Sequence, residues 1–335
     1  MSIEIMQATL YDVSEIGSLF DYLNDHLEDT INYPGWKKGV YPTREHAQAD
    51  IAAKTLFVAR HQDRIVGTIV INQEPIKAPV NCSWMVNASD DEVVAMHRLA
   101  VHPDYMRSGI GTQLLHFAER QANDKGMKAI RLDVYEGNLA AIRAYEKCGY
   151  MHIDTVDIGL GHYGLDWFRL YEKPLFGICS LLKDHLPVYA MIIRASFATV
   201  ATQWSFTMDN CPSHTSFITD EQLTESYSDG YHPFGYFTHG KMIGFASLTN
   251  TGQGVFKLKH VSVLPEYRHL GVGKSILDFC KDKVRQWGGI KIMIGIMEEN
   301  TVLKNWYEYN GFRHTGVEII ANLPFTVGHM EWDVE

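Results

Sequence analysis

Leu99-Ala-Val-His-Pro-Asp-Tyr-Met-Arg-Ser-Gly-Ile-Gly111 returns later in the same chain as Val261-Ser-Val-Leu-Pro-Glu-Tyr-Arg-His-Leu-Gly-Val-Gly273. In both, an apolar stretch runs to a proline and then to a Gly-x-Gly. A second pair, Asn138-Leu-Ala-Ala-Ile-Arg-Ala-Tyr-Glu-Lys-Cys-Gly-Tyr150 and Asn300-Thr-Val-Leu-Lys-Asn-Trp-Tyr-Glu-Tyr-Asn-Gly-Phe312, keeps the same separation of 162 residues (Gly109 to Gly271, Asn138 to Asn300). Two separate motifs in one register mean a duplicated domain. Upstream the register drifts. Gly67 in Ile65-Val-Gly matches Gly244 in Met242-Ile-Gly, and Met6-Gln-Ala-Thr is matched to Ile193-Arg-Ala-Ser. This predicts extra residues in the first copy both before and after that hairpin.

Working outward, each copy reads as the same succession of elements. A strand (residues 3–8 and 190–194) leads to a helical stretch and then to a hairpin turning at His61-Gln-Asp-Arg64 or Thr238-His-Gly-Lys241. The next strand ends at Pro103 or Pro265. Leu114, Leu115, Ala118 and Ala122, and in the second copy Ile276, Leu277, Cys280 and Val284, keep helical spacing until Lys125-Gly126 and Trp287-Gly288. Ile130, Leu132 and Val134 alternate as in a strand, and Ile292, Ile294 and Ile296 repeat the phase. A helix carrying Tyr145 or Tyr307 ends at Gly149 or Gly311, and closing strands fall around residues 167–171 and 328–333. The fold class is α/β (α+β), as two domains in tandem: residues 1–175, a linker over 176–188, and residues 189–335.

Composition supports two cores and excludes other classes. A chain of 335 residues, 46% hydrophobic and 21% charged, is long for one core and sufficient for two. Residues 176–193, the most apolar run, are broken by Lys183, Asp184, His185 and Pro187, so no membrane span is expected. The first residues lack a basic patch followed by an apolar run, which predicts no secretory signal and a cytoplasmic location. The five cysteines (Cys82, Cys148, Cys179, Cys211, Cys280) form no CxxC pair, so neither a disulfide framework nor a metal site is expected. A net charge of -10 without a clustered basic stretch argues against nucleic acid as a partner.

A strand feeding a glycine-rich turn and then a helix is a device for holding phosphate. The first helical N–H groups lack partners, the helix end carries partial positive charge, and glycine lets a pyrophosphate approach the backbone. The turn residues are Arg107, Ser108, Gly109, Gly111 and Thr112 in the first copy. In the second they are Arg268, His269, Gly271, Gly273 and Lys274.

The pattern (Gln/Arg)-x-x-Gly-x-(Gly/Ala) after a strand, followed by Asn and Tyr on the next strand-helix unit, resembles the GNAT superfamily of acyl-CoA-dependent N-acyltransferases. The second copy fits it in full, and the first has Met106 where the second has Arg268. The resemblance implies a mixed sheet splayed at its centre, pantetheine between two strands, acetyl-CoA as acyl donor and an amine arriving from the opposite face. Backbone N–H groups near Leu99 and Val101, or Val261 and Val263, would hold the oxyanion. Tyr145 and Tyr307 stand at the family's general-acid position. Asn138 and Asn300 fall in its coenzyme site, and an N-cap role suits them equally. His97 resembles the histidine that removes a proton in arylalkylamine acetyltransferases, and strand parity places it with Leu99 and Val101. The second copy has Lys259 there and His260 beside it. Glu136 and Glu298 read as solvated loop carboxylates. Tyr33, Trp36, Tyr41 and Trp84 are candidates either for an acceptor pocket or for packing.

The expected function is transfer of an acetyl or similar acyl group to a primary amine, on a small molecule or a peptide, by direct attack in a ternary complex. Two alternatives stand beside it: one catalytic lobe with a structural one, as the tandem's resemblance to mycothiol synthase implies, or a non-catalytic acyl-CoA-binding protein. Arg268 predicts tighter coenzyme binding in the second lobe, and His97 predicts chemistry in the first. The sequence carries no signal for an oligomeric state.

Overall fold

A computed structural model describes residues 2–79, 82–227, 230–321 and 323–334. The chain divides into two units, Met1–Phe176 and Gly177–Glu335. The first runs β1 (Glu4–Gln7), α1 (Val13–Asp29), α2 (Arg44–Ala52), β2 (Leu56–His61), β3 (Arg64–Asn72), β4 (Val93–Val101), α3 (Ile110–Asp124), β5 (Ala129–Tyr135), α4 (Leu139–Lys147), β6 (Met151–Val156) and β7 (Phe168–Pro174). The second runs β8 (Gly177–Ser180), α5 (Leu186–Gln203), α6 (Asp220–Ser226), β9 (Tyr231–Thr238), β10 (Lys241–Gly252), β11 (Val255–Val263), α7 (Val272–Gln286), β12 (Lys291–Met297), α8 (Thr301–Tyr309), β13 (Arg313–Ile319) and β14 (Thr326–Asp333). Each unit has its own mixed sheet, ordered β1-β2-β3-β4-β5-β7-β6 and β13-β14-β12-β11-β10-β9-β8, which is one order read from opposite edges. The central pairs β4/β5 and β11/β12 are parallel, and their neighbours are antiparallel.

Both faces of the first sheet are covered, as period-two alternation allows. Val94, Met96, Ile130, Leu132 and Val134 pack with Ile110, Leu114 and Leu115 of α3 and Ile142 of α4. On the other face Val58, Ile65, Val70 and Ala100 pack with Ile16, Leu19 and Phe20 of α1 and Ile51 of α2. At Gly67 β3 packs tightly against α3. A Cβ there would stand 3.0 Å from both the Ala100 carbonyl and the Ile110 side chain, and Gly244 is crowded in the same way by Ile276 and the Ser262 carbonyl. The hairpin glycine of the repeat is thus a packing residue.

Residues 190–194 are not a strand but lie inside α5. Tyr189, Ile192, Ile193 and Ser196 are buried at helical spacing, and Pro187 occupies the first turn, where a missing N–H costs nothing. The first strand of the second unit is β8, which pairs with β9 and lies in the segment expected as a linker. Since β8 rather than residue 193 answers to β1, the extra residues expected before the first hairpin disappear. Those after it remain: residues 73–92 join β3 to β4, whereas β10 and β11 meet through a two-residue turn.

Residues 84–86 of this longer segment are fastened to the sheet. The buried Glu172 carboxylate accepts the Met85 and Val86 N–H groups (2.7 and 3.0 Å) and the Arg131 Nε (2.8 Å). Arg131 also donates to the Val86 carbonyl (2.9 Å) and lies 4.4 Å over the Trp84 ring. Among the described residues no helix is long and apolar enough to cross a membrane.

Candidate active site

β4 and β5 stay paired for three residues, Val93, Val94 and Ala95 against Ala129, Ile130 and Arg131. Beyond these the strands part, β5 following β7 and β4 following β3. A bulge lies on the diverging stretch. His97 faces Val70 and Ala100 faces Thr68, so Ile69 opposes two residues of β4, and Arg98 takes φ +47°. Such a bulge bends and twists its strand, and it leaves the β4 edge from Met96 onward turned to a gap. The second unit repeats the device, with three paired residues, a register shift between Phe245 and Ser247, and His260 at φ +53°.

The bulge corrects the expected parity of His97. Met96, Leu99 and Val101 all pack on the α3 face, which strict alternation would not permit. His97 instead shares the α1 and α2 face with its cross-strand partner Val70. Arg98 reaches the same side and forms a two-pronged pair with Asp50 of α2 (2.9 and 2.5 Å), donating also to the Tyr41 hydroxyl at 3.3 Å. A left-handed arginine costs of order 1–3 kcal/mol and persists only where its surroundings fix it, and this two-pronged pair fixes the side chain.

β4 then enters the glycine turn. Arg107 and Gly109 have φ +61° and +86°, and Gly109 is the N-cap of α3, with no side chain to take up the first N–H groups. His269 (+62°) and Gly271 (+83°) reproduce this at α7. Both turns therefore present unused donors and a helix N-terminus. Ser108 turns back to the Tyr105 carbonyl (2.5 Å), and Lys274 pairs with Asp278 along α7 (2.5 Å). Arg268 faces away from the phosphate turn: Nη2 donates to the Ser196 carbonyl (2.7 Å), Nη1 to Thr199 (3.0 Å) and Nε to the Val263 carbonyl (3.2 Å). It fastens α5 to β11, and the charged phosphate contact expected of it is not what its geometry offers.

In the first unit a cavity of about 530 Å³ crosses the gap. Leu115, Asn138, Ala141 and Tyr145 line it on the α3 and α4 side; Trp36, Tyr41, His97 and Arg98 line it on the other, with Asp133 of β5 between. Asn138 caps α4, its Oδ1 accepting the Ala141 N–H at 3.2 Å, and Asn300 caps α8 on Leu303 at 3.1 Å. Burial pushes the Tyr145 hydroxyl well above the ordinary phenol range, and the nearby Asp133 charge adds to it. Burial, with the adjacent Arg98 charge, pulls the His97 imidazole below its usual value, so at neutral pH it is uncharged and able to accept a proton. Its Nε2 is buried without a hydrogen-bond partner.

This arrangement, a splayed parallel pair beside a glycine turn at a helix N-terminus, is matched in sequence by the model of the acetyltransferase (GNAT) family over residues 21–150 and again over 199–312. The chain belongs to the acetyltransferase (GNAT) family. It is similar to an uncharacterized N-acetyltransferase of Methanocaldococcus jannaschii, 31% identical over 170 residues that make up 49% of this chain and 70% of the relative. An uncharacterized N-acetyltransferase from the pepI 3' region of Lactobacillus delbrueckii subsp. lactis is 23% identical over 40% of this chain and 82% of its own length. Two solved structures are also similar. The ribosomal-protein-S18-alanine N-acetyltransferase of Escherichia coli has a TM-score of 0.40 at 18% identity, covering 48% of this chain and 95% of its own. The PaiA N-acetyltransferase of Thermoplasma acidophilum, in complex with coenzyme A, has a TM-score of 0.40 at 20% identity, covering 47% and 98%.

The two GNAT units differ where the gap opens. Leu303 and Trp306 of α8 stand where α4 has Ala141 and Ala144, and the Trp306 ring lies 3.4 Å from the place a Cβ on Gly273 would take. Tyr307 is buried like Tyr145, its hydroxyl likewise pushed up by burial. Lys259 and the half-buried His260, its imidazole pulled down to about 4 by desolvation, replace His97 and Arg98. Of the aromatic candidates, Trp36 and Tyr41 line the cavity, Trp84 lies against Arg131, and Tyr33 is partly exposed. Glu298 is paired with Lys304 (2.5 Å) and His314 (3.0 Å). Sequence reasoning missed Asp133 and Arg98. Asp133 carried a signal, since the matching residue of the second copy is Gly295.

Proposed function

We propose that the first unit transfers an acetyl or similar acyl group from acyl-CoA to a primary amine by direct attack. The observation that carries this is one cavity with Tyr145 on the α4 side of the strand gap and an uncharged His97 on the other. The α3 turn suits the pyrophosphate, and the freed edge of β4 near Leu99 and Val101 suits the pantetheine and the carbonyl oxygen. An alkylamine resembles lysine, with a pKa of about 10.4, so at pH 7 roughly 4 molecules in 10,000 are neutral in water. His97 takes one proton from the ammonium and passes it to solvent. The amine nitrogen then bonds to the thioester carbon, the C–S bond breaks, and the second nitrogen proton ends on the coenzyme sulfur. Tyr145, too weak an acid to yield its proton, steadies that sulfur by donating a hydrogen bond.

The test is thiol release from acetyl-CoA by the full chain with a panel of primary amines, with mass detection of the product. Amine-dependent release matched by acetylated amine is expected. Thiol release without acetylated product, or coenzyme binding without turnover on any amine, would overturn the proposal. A second reading, that the C-terminal unit is structural, is favoured by Leu303 and Trp306 beside its turn and by Gly295 in place of the cavity carboxylate.

A further inference from the structure

Asp133 is a carboxylate without an assigned task. On β5 it sits in phase with Arg131 and Tyr135 and out of phase with Ile130, Leu132 and Val134, which pack on the α3 side. Its side chain therefore lies on the face of His97, at the gap, and lines the cavity. Among the described residues it has no ion-pair partner, whereas the other charge deep in that wall, Arg98, is spent on Asp50. It lines the same cavity as Tyr145 and Tyr41, and burial pushes its carboxyl above the ordinary aspartate value, so a cation bound beside it would restore its charge.

The chamber on this side is largely apolar. Trp36, Tyr41, Tyr163 and Phe168 supply aromatic wall, and Leu160 and Leu165 supply aliphatic wall. Two loops that line it come together: Gly35 (φ +68°) lies so near Leu165 that a Cβ would run into that side chain. Residues 34–41 and 158–165 thus touch each other where both border the chamber. Lys37 is at the wall but exposed.

We infer that Asp133 is the docking point for the acceptor's ammonium group, and that the acceptor is a small monoamine whose remaining body is uncharged and apolar or aromatic. This rests on the transfer reading above. One unpaired carboxylate in an apolar chamber matches one cation. A polyamine would bury a second ammonium without a partner, and an amino acid would bring a carboxylate to an arginine already taken, each at a desolvation cost. The ammonium docks at Asp133, and its proton leaves to His97 on the facing strand.

The experiment compares 2-phenylethylamine, its neutral analogue 2-phenylethanol, and spermidine on the full chain and on Asp133→Asn, by calorimetry and by acetyl-CoA turnover. Among the described residues Asp133 holds no ion pair, so the near-isosteric variant should melt as the parent does, and Asp133→Glu serves as the conservative control. A charge-assisted contact predicts binding of the amine in preference to the alcohol by about 10- to 100-fold, lost in Asp133→Asn. The Asp133→Glu variant should retain part of that preference, and spermidine should bind more weakly than the monoamine. Equal binding of amine and alcohol, an unchanged preference in Asp133→Asn, or spermidine binding as tightly as the monoamine would overturn the inference. If the preference holds while no amine is acetylated, the transfer reading fails and the ammonium site stands. If acetylation proceeds while the preference is absent, the reverse is true.

Discussion

A phenol buried beside a carboxylate is a poor acid but still a hydrogen-bond donor, and this decides what Tyr145 can do. A free phenol near 10 is already a weaker acid than a thiol near 8.5, and burial pushes Tyr145 further from matching it. Tyr145→Phe should therefore lower kcat for acetyl transfer by about tenfold, the size of one lost hydrogen bond to developing charge, with the melting temperature unchanged. A loss below about threefold would remove Tyr145 from the reaction. The pH profile belongs to His97. Its folded pKa is depressed, so the base form persists to lower pH than in a free histidine. The acid limb of kcat/KM should fall below about 6.5 and disappear in His97→Gln; Tyr145 should add no basic limb in the neutral range. The places of Tyr145 and Asn138 were legible in the sequence because the repeat carries Tyr307 and Asn300 in the same register, whereas His97, matched by Lys259, was singled out by a resemblance alone. The face of His97 was not legible, since a single bulge residue reverses parity and nothing in Met96-His-Arg-Leu99 announces it.

Among the elements, the strand gap and the loop beside it carry the site, and the physics that holds each is different. The gap depends on backbone geometry repeated at Arg98 and His260, whereas residues 82–92 depend on a buried charge network centred on Glu172. Removing one partner of a buried pair leaves the other unsatisfied, typically at about 3–5 kcal/mol. Glu172→Ala should cost stability on that scale in a urea melt and expose residues 82–92 to limited proteolysis. A loss under about 1 kcal/mol would mean that the network is dispensable. The elements most legible from sequence were those with strict periodicity, α3, α7, β5 and β12. The first strand of the second unit was misplaced because Tyr189 to Arg194 is too uniformly apolar to separate a buried helix from a strand. The actual strand, Gly177–Ser180, is four residues long and carries almost no period.

At the scale of the whole molecule, duplication copied the scaffold more faithfully than the site. Both units keep the sheet order, the paired stub of three residues, the left-handed bulge and the glycine turn. This is why the tandem architecture could be read from two repeated motifs. The chemistry diverges at positions the same register aligns: Asp133 with Gly295, His97 with Lys259, Ala141 with Leu303 and Ala144 with Trp306. Arg268 suggested tighter coenzyme binding in the second unit, but its guanidinium is committed to Ser196, Thr199 and the β11 backbone, while larger side chains crowd the helix that borders the channel. The prediction therefore turns round. Calorimetric titration of the full chain with coenzyme A should give a stoichiometry near one, with the first unit as the binder. Replacing Leu303 and Trp306 together by alanine should raise the stoichiometry toward two. Such truncations cost up to about 2–5 kcal/mol each in a core and less where, as here, the side chains are partly exposed, so a melt of the variant must accompany the titration. Two equal sites in the parent chain, or a well-folded double variant still binding one coenzyme, would show that Leu303 and Trp306 do not set the difference between the units.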